Sequence, residues 1–539
     1  MTIGEKIANL RDNSGISQEQ LAEKLSVSRQ SVSKWEMGQA LPQIDKVLQL
    51  CELFNISADE LLHDKIIIGR NESNITSGNK YFGTDGFRGE ANIDLTSMQA
   101  YKVGRFLGWY YSSPLSGCTK TGYRPRILIG KDTRRSSYML EYSIVAGITA
   151  SGADAYMLHV TTTPSVSYVT RQDEFDCGIM ITASHNPFYD NGIKVINRHG
   201  EKLDDSTTAL IEAYIDGDLK KLGVCGSDLP LAHRERIGCI VDYVAGRNRY
   251  VGYLISVAAH SYKELKIGLD CANGASWMIA KNVFDALGAQ TYVIGAEPDG
   301  LNVNNGCGST HIENLCRLVK EQHLDVGFAF DGDADRCIAV DENGKVVDGD
   351  GMLYILATRL KARDMLDNNT VVATIMSNSG LFAALKEVGI ECVQTSVGDR
   401  FVYECMQEKG YRLGGEQSGH IILKKYATTG DGLLTAIMIA EEMRDKKSTL
   451  SKLAEPVKLY PQLTKNIRVK DKAAVMMDSE VLAELKAVDK LIDGKGRALL
   501  RQSGTEPVIR IMIESESEEL CESYAERIAE KIINNGHCE

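Results

Sequence analysis

Leu324-Asp-Val-Gly-Phe-Ala-Phe330-Asp331-Gly-Asp333-Ala-Asp335-Arg336-Cys-Ile-Ala-Val340 is the stretch from which the rest of the chain can be read. An apolar run too short for a helix leads into a turn with three carboxylates at alternate positions, and a second short apolar run leads out of it. In open α/β sheets, ligands collect at the loops that follow strands. Three such carboxylates can converge on one cation, and hard oxygen donors suit Mg²⁺ or Ca²⁺. An EF-hand is the obvious rival, because Glu342 falls at its last ligand position. It fails because Arg336 stands where the sharp turn needs Gly, and because strands rather than helices flank the loop. Mg²⁺ held by Asp331, Asp333 and Asp335 is the expectation, since clustered carboxylates without a cation repel one another.

Outward from this loop, short apolar runs alternate with segments of helical period. Residues 127–130, 155–159 and 177–182 read as strands of a first unit, 265–270, 290–295 and 324–330 of a second, and 370–377 and 391–397 of a third. After about residue 455 the pattern changes to strands at 466–469, 497–501 and 508–514 and a final helix over 517–534. At the other end Ser17 and Ser28 are placed to cap two short helices joined by a tight turn at 26–28, with Leu21, Ala22, Leu25, Val32 and Trp35 at core spacing. Residues 44–54 continue with helical spacing. The predicted architecture is an all-α helix-turn-helix domain (1–62), a polar linker (63–79), three similar α/β domains (80–225, 226–340 and 341–455) and a C-terminal α+β domain (456–539).

Composition narrows the class. A chain of 539 residues exceeds what one hydrophobic core supports, and 43% hydrophobic with 25% charged residues is ordinary globular composition. The net charge of −12 argues against a general nucleic-acid coat or a basic membrane-surface protein. No apolar run approaches the roughly 18 residues of a membrane span, and the first residues lack the apolar stretch of a signal peptide, so the expected location is the cytoplasm with no membrane partner. The 13 Cys are scattered without a Cys-x-x-Cys pair, which fits reduced thiols better than a disulfide framework or a zinc site.

Three further strings carry chemistry. The strand at 177–182 runs into Ala183-Ser184-His185-Asn186-Pro187, where Ser184 can be a nucleophile. His185 is adjacent, but neighbouring side chains diverge and no Gly-x-Ser-x-Gly elbow is present, which weakens any hydrolase reading. Arg501-Gln-Ser503-Gly504-Thr505-Glu-Pro with Arg510 offers backbone amides, hydroxyls and two guanidinium groups suited to a phosphate. Gly414-Gly-Glu416-Gln-Ser418-Gly-His420 presents a carboxylate and a hydroxyl two residues apart, able to grip neighbouring sugar hydroxyls. A nucleophilic Ser, a divalent cation, a phosphate clamp and a polyol grip together define phosphoryl transfer between Ser and a sugar phosphate.

These strings, with Lys80-Tyr-Phe-Gly-Thr-Asp-Gly-Phe-Arg88-Gly89, resemble the α-D-phosphohexomutases in order and spacing over roughly residues 80–539. Asp299-Gly-Leu-Asn-Val-Asn-Asn-Gly-Cys-Gly-Ser-Thr-His311, Val397-Gly-Asp-Arg400 and Glu416-Gln-Ser418 look like the bacterial phosphoglucosamine mutase branch. The resemblance implies a phosphate on Ser184, with Mg²⁺ held by that phosphate and the three Asp. It also implies a cycle through glucosamine 1,6-bisphosphate, or a similar hexose bisphosphate as activator. By the same resemblance Arg88, His185 and Lys194 line the reacting centre, Lys194 as a candidate proton acceptor, and Arg336 and His420 approach from other domains. Glu416, Ser418, Arg501, Ser503, Gly504, Thr505 and Arg510 bind substrate. The alternatives are a phosphoglucomutase or phosphomannomutase, and a transcription regulator that uses the mutase region as a sugar-phosphate sensor.

Ser17-Gln-Glu-Gln-Leu-Ala-Glu-Lys-Leu-Ser-Val-Ser-Arg-Gln-Ser-Val-Ser-Lys-Trp-Glu36 looks like the phage-repressor type of helix-turn-helix. That resemblance places Arg29, Gln30, Ser31 and Ser33 toward bases, and Gln18 and Lys34 near phosphates. Residues 1–62 hold six Lys/Arg and nine Asp/Glu, net −3, so non-specific affinity for DNA is expected to be low. A homodimer pairing two such modules on one site is the corresponding expectation.

Overall fold

The computed structural model describes residues 3–14, 16–40, 42, 44–54, 80–83, 85–117, 122–492, 495–502 and 507–538. The chain divides into two units, Met1–Gly78 and Asn79–Glu539. The expected linker at 63–79, and Ser503, Gly504 and Thr505 of the expected phosphate clamp, lie outside the described residues.

The described residues of the first unit form four helices, α1 (Ile3–Asn13), α2 (Gln18–Lys24), α3 (Arg29–Glu36) and α4 (Ile44–Phe54). Ser17 caps α2 in a reciprocal box: the Gln20 amide donates to Ser17 Oγ at 3.2 Å and the Ser17 amide donates to Gln20 Oε1 at 2.7 Å. Ser28 caps α3 by accepting from the Ser31 amide at 3.1 Å, and Ser26 makes the turn between them at φ 52°. The apolar stripe closes on Ile7, Leu21, Ala22, Leu25, Val32, Trp35, Val47, Leu50 and Cys51. Both caps and the core positions fall where the sequence places them.

The second unit contains three sheets of one design. The first consists of β1 (Phe82–Gly83), β2 (Gly86–Glu90), β3 (Arg126–Lys131), β4 (Asp154–Val160), β5 (Cys177–Ile181), β6 (Asp190–Asn197) and β7 (Ile240–Asp242), in the order β1-β2-β6-β5-β3-β4-β7. The second has β8 (Lys266–Asp270), β9 (Gln290–Ile294), β10 (Val326–Phe330), β11 (Cys337–Asp341) and β12 (Val346–Val347), ordered β12-β11-β10-β8-β9. The third has β13 (Thr370–Thr374), β14 (Glu391–Thr395), β15 (Leu413–Gly415) and β16 (Ile421–Leu423), ordered β14-β13-β15-β16. In each, the parallel strands β4-β3-β5, β9-β8-β10 or β14-β13-β15 are followed by one antiparallel strand, β6, β11 or β16. The repetition read from the sequence is therefore real, and it extends to a fourth strand that sequence reading mostly missed; in the third sheet the short parallel strand β15 was missed too. The loop between the last parallel strand and its antiparallel partner holds Ser184, the Asp triplet or Glu416. A small antiparallel sheet β17-β19-β18 (Gln462–Arg468, Val508–Glu514, Arg497–Gln502) with the helix Glu518–Asn534 forms the α+β end.

Two expected boundaries move. β7 pairs with β4, so the first sheet extends beyond residue 225, and β12 carries the second sheet beyond 340. Both are short edge strands, β7 with an exposed, half-buried, exposed pattern, too brief to show a period. The three sheets share one apolar core that includes Leu128, Tyr250, Phe328, Leu353 and Ile437. Through it runs the buried helix Gly432–Lys446, capped by Asp431, which accepts from the Leu434 amide at 3.0 Å. A Cβ on Gly432 would stand 2.3 Å from the Arg336 carbonyl oxygen, so the helix starts against the Asp loop itself. Among the described residues no helix is long and apolar enough to cross a membrane, and the described cysteines are free thiols.

Separate cores make the units separable. Leu21→Ala removes a fully buried side chain and is expected to cost the first unit about 2–5 kcal/mol, enough to melt a domain of this size. Deletion of residues 1–75 is expected to leave the second unit's melting transition in place. Calorimetry on the two proteins checks this: a second-unit transition that disappears with either change refutes it.

Candidate active site

The Ser184 loop and the Asp loop meet directly. Ser184 Oγ donates to Asp331 Oδ2 at 2.5 Å, and Ser184 is 1% exposed. Ser184 stands at φ 52°, a left-handed conformation that non-glycine residues seldom adopt outside functional turns. Its amide donates to Thr182 Oγ1 at 2.9 Å, and that hydroxyl donates in turn to Asp132 Oδ2 at 2.7 Å. Asp132 also pairs with Arg134, which follows β3.

The three Asp carboxylates offer oxygens within 4.8 Å of one another and are buried. Asp333 Oδ2 accepts from Thr163 Oγ1 at 2.5 Å and from Lys194 Nζ at 2.9 Å, and Asp335 Oδ2 accepts from Lys194 at 3.0 Å. Burial, with Asp335 and Asp333 beside it, pushes the Asp331 carboxyl well above the usual range. Burial acts on Asp335 too, but Lys194 and His420 hold it well below. Lys194, His420 and Arg336 offset part of this charge. Asp333 Oδ1 and Asp335 Oδ1 are buried without a hydrogen bond, so two oxygens remain available beside the Ser184 hydroxyl. Buried oxygens that are crowded and under-bonded fit a hard divalent cation. The grouping of His260, Glu441 and Asp445 fits one less well, because Arg359 and Arg363 already hold Asp445.

Lys194 reaches Asp85 Oδ2 at 3.1 Å as well, and against its burial the three carboxylates hold its ammonium well above the usual lysine range. The expected role of proton acceptor thus requires Lys194 to lose a proton that Asp333, Asp335 and Asp85 keep on it. Asp85 also pairs with Arg88 and with Lys202, the latter at 2.9 Å, and Lys202 bridges on to Asp399 at 2.6 Å. His185 diverges from Ser184: its Nδ1 accepts from Arg336 Nη1 at 2.8 Å, which leaves the proton on Nε2. Burial and the guanidinium groups of Arg336 and Arg88 lower its pKa to about 4. His420, 3% exposed, lies 3.7 Å from Asp335 through Nδ1. Against burial, Asp335 and Asp399 raise its pKa to about 9. The Gly430 amide lies 3.0 Å from Nε2 and can donate there only to the neutral ring, whose proton then sits on Nδ1.

Glu416, half-buried, accepts from the Gly398 amide at 3.0 Å and so ties its hairpin to the Val397–Arg400 turn; Ser418 is exposed. Burial raises the Glu416 carboxyl. Arg501 and Arg510 face each other as cross-strand partners of β18 and β19, on the fourth sheet. Like charges directly opposite are unfavourable, and burial together with Arg510 lowers the Arg501 pKa, which suits an anion between them. A cavity of about 450 Å³ opens beside the charge network, lined among others by Phe82, Asp85, Lys194, Lys202, Asp399 and His420.

Sequence reading missed Asp132, Thr163, Lys202, Asn304 and Asp399 as parts of this network. Asp132 and Thr163 follow β3 and β4, so the rule that led to Ser184 would have reached them too.

In the first unit, Arg29, Gln30 and Lys34 are exposed on α3, and Ser31 and Ser33 are half-buried. Ser31 Oγ lies 2.9 Å from Ser28 Oγ, and Gln18 Nε2 donates to Glu36 Oε2 at 2.7 Å, so both are also engaged within the unit.

Comparison with known proteins agrees with this geometry. Residues 79–221, 248–344 and 348–460 match the models of phosphoglucomutase/phosphomannomutase α/β/α domains I, II and III, and residues 465–531 match the C-terminal domain of the same family. Residues 7–61 match a helix-turn-helix model. Phosphoglucosamine mutase of Lachnospira eligens is 60% identical over 85% of this chain and 99% of its own length. That of Bacillus subtilis is 46% identical over 84% of this chain and 98% of its own. Among solved structures, a phosphoglucomutase/phosphomannomutase family protein from Burkholderia thailandensis shares the fold with TM-score 0.68 at 22% identity, covering 85% of this chain and 98% of its own. Aspergillus fumigatus N-acetylphosphoglucosamine mutase, in complex with GlcNAc-6P and magnesium, does so with TM-score 0.59 at 17% identity, covering 85% and 96%. With all four domains matched in order and curated relatives aligned over nearly their whole length, the chain belongs to the phosphoglucosamine mutase family and carries a helix-turn-helix unit ahead of the enzyme.

Proposed function

We propose that the chain interconverts glucosamine 6-phosphate and glucosamine 1-phosphate through a phosphoserine at Ser184 and a sugar 1,6-bisphosphate. The observation that carries this reading is the Ser184 hydroxyl hydrogen-bonded at 2.5 Å to the first of three buried carboxylates, the other two of which keep an oxygen without a hydrogen bond. The phosphoryl group of Ser184 passes to the free hydroxyl of a bound sugar phosphate; the bisphosphate turns over, and its other phosphate returns to Ser184. No phosphate is consumed. Arg88, Lys194, Arg336 and the His185 Nε2–H donate to the group in transfer, and His420 supports Asp335 from the third sheet. Arg501 and Arg510, with Ser503, Gly504 and Thr505, hold the phosphate that is not in transfer, while Glu416 and Ser418 grip sugar hydroxyls. Asp331, Asp333, Asp335 and the Ser184 phosphate would hold Mg²⁺, which would offset phosphoryl charge and polarise the group being moved. The relatives' shared name supports the amino sugar over glucose or mannose.

We further propose sequence-specific DNA binding by the first unit. Arg29, Gln30, Ser31 and Ser33 of α3 read bases and Gln18 and Lys34 hold phosphates; the support is the helix-turn-helix geometry with α3 capped and its polar side exposed. The unit's net −3 makes a single copy bind weakly, so useful affinity calls for two units on a pseudo-palindromic site, supplied by a homodimer.

Three outcomes are expected. Purified chain turns over glucosamine 6-phosphate with a higher kcat/KM than glucose or mannose phosphate, mass spectrometry finds phosphate on Ser184, and Ser184→Ala is inactive but folded. Preference for mannose phosphate moves the protein to the phosphomannomutases; an inert parent protein that still binds the sugar phosphate makes it a sensor.

Chelation stops turnover and Mg²⁺ restores it. Asp333→Asn weakens the site, and Thr163→Val, which removes the hydroxyl that orients Asp333, raises the Mg²⁺ needed for half-maximal rate by about 10- to 100-fold. Full rate in excess chelator refutes the assignment.

Selection from random DNA at low salt enriches a two-fold-related site, and Arg29→Ala with Gln30→Ala abolishes the enrichment. No enriched sequence, or one indifferent to both changes, removes DNA from the reading.

A further inference from the structure

The left-handed turn at Ser184 persists because its surroundings over-determine it. Besides the Thr182 hydroxyl on its amide, two side chains grip its carbonyl oxygen: Arg134 Nη2 donates at 3.1 Å and Asn304 Nδ2 at 2.8 Å. The same two nitrogens donate to the Asn186 carbonyl, at 2.5 Å and 3.1 Å, so the turn is clamped at two points. Arg134 comes from the first sheet, as Ser184 does. Asn304 comes from the segment after β9 and reaches across from the second sheet.

Asn304 is built for this contact. It is 6% exposed, sits at φ 57°, and is anchored by its own amide, which donates to the Ala272 carbonyl at 2.9 Å. Its Nδ2 is the donor in both carbonyl contacts, while its Oδ1 is buried without a hydrogen bond. A buried amide whose donor end is used twice and whose acceptor end is idle serves as a donor. Gly332 of the Asp loop closes the third side: a Cβ there would stand 2.5 Å from the Ser184 carbonyl oxygen and 3.2 Å from Asn304 Nδ2. Arg134 already gives Nη2 to both carbonyls and Nη1 to Asp132, so loss of Asn304 leaves each carbonyl with one donor in place of two.

We propose that Asn304 is a positioning residue for Ser184: by donating to the Ser184 and Asn186 carbonyls it fixes the turn that aims Oγ at Asp331, so that the nucleophile is aligned through the second sheet. This rests on the reading of Ser184 as the phosphoryl carrier. Asn304→Asp keeps the shape but turns lone pairs toward two carbonyl oxygens; Asn304→Ala only removes the donors.

The test uses the full-length chain and its Asn304→Asp, Asn304→Ala and Ser184→Ala variants. It measures steady-state turnover of glucosamine 6-phosphate, the melting transition and the ³¹P resonance of the phosphorylated protein. The expected result is a kcat lowered about 100-fold by Asn304→Asp and about 10-fold by Asn304→Ala, with KM within about twofold and the ³¹P resonance displaced. If Asn304→Asp fails to fold, Asn304→Ala decides on the same criteria. An unchanged kcat, or a loss confined to KM, overturns the proposal. Activity in Ser184→Ala overturns the nucleophile assignment beneath it, whereas an inactive Ser184→Ala beside normal Asn304 variants overturns this proposal alone.

Discussion

Three carboxylates buried within 4.8 Å of one another are the constraint around which the second unit is arranged. Charge in a low-dielectric interior is tolerated only when paired, and each nearby element supplies a counter-group or a donor. β6 brings Lys194, the turn after β4 brings Thr163, the third hairpin brings His420, and the Ser184 hydroxyl faces Asp331. Two of the carboxylates still keep a buried oxygen without a hydrogen bond, and it is this opening beside a serine hydroxyl on which the proposed cation and phosphoryl chemistry rests.

The same constraint explains why the three α/β sheets sit against one shared core. Each contributes one hairpin turn, and the turns carry unlike side chains on like scaffolds: a serine, a carboxylate triplet, a carboxylate with a hydroxyl. Gly332 and Gly432 mark how closely they approach, since a methyl group at either would collide with a carbonyl of a neighbouring loop.

Much of this was legible before any coordinates. The Asp loop and Ser184 follow apolar strands, and loops after strands are where ligands gather; Glu416 is legible from its own string, since the strand before it, β15, is only three residues long. The caps at Ser17 and Ser28 and the core stripe of the first unit follow from local pattern alone. What escaped was of two kinds. Antiparallel strands such as β6 begin on polar turn residues, Asp190-Asn-Gly, and short edges such as β7 are exposed, so neither shows a clean period. Long-range partners were the second kind. Thr163, Asp85, Lys202 and Asn304 acquire meaning only when distant segments meet, and a string of residues does not reveal that the amide of Asn304 ends beside the carbonyl of Ser184.

β5, β10 and β15 are each paired on both sides, to β3 and β6, to β8 and β11, and to β13 and β16. Amides in such ladders open to solvent only with their whole sheet, at the high end of the local-unfolding scale. The three hairpins are therefore each anchored beside a strand paired on both sides. In the proposed cycle, which phosphorylates both ends of one ring, the rotational freedom then falls to the sugar: the protein is the fixed jaw, and the ligand is the part that tumbles.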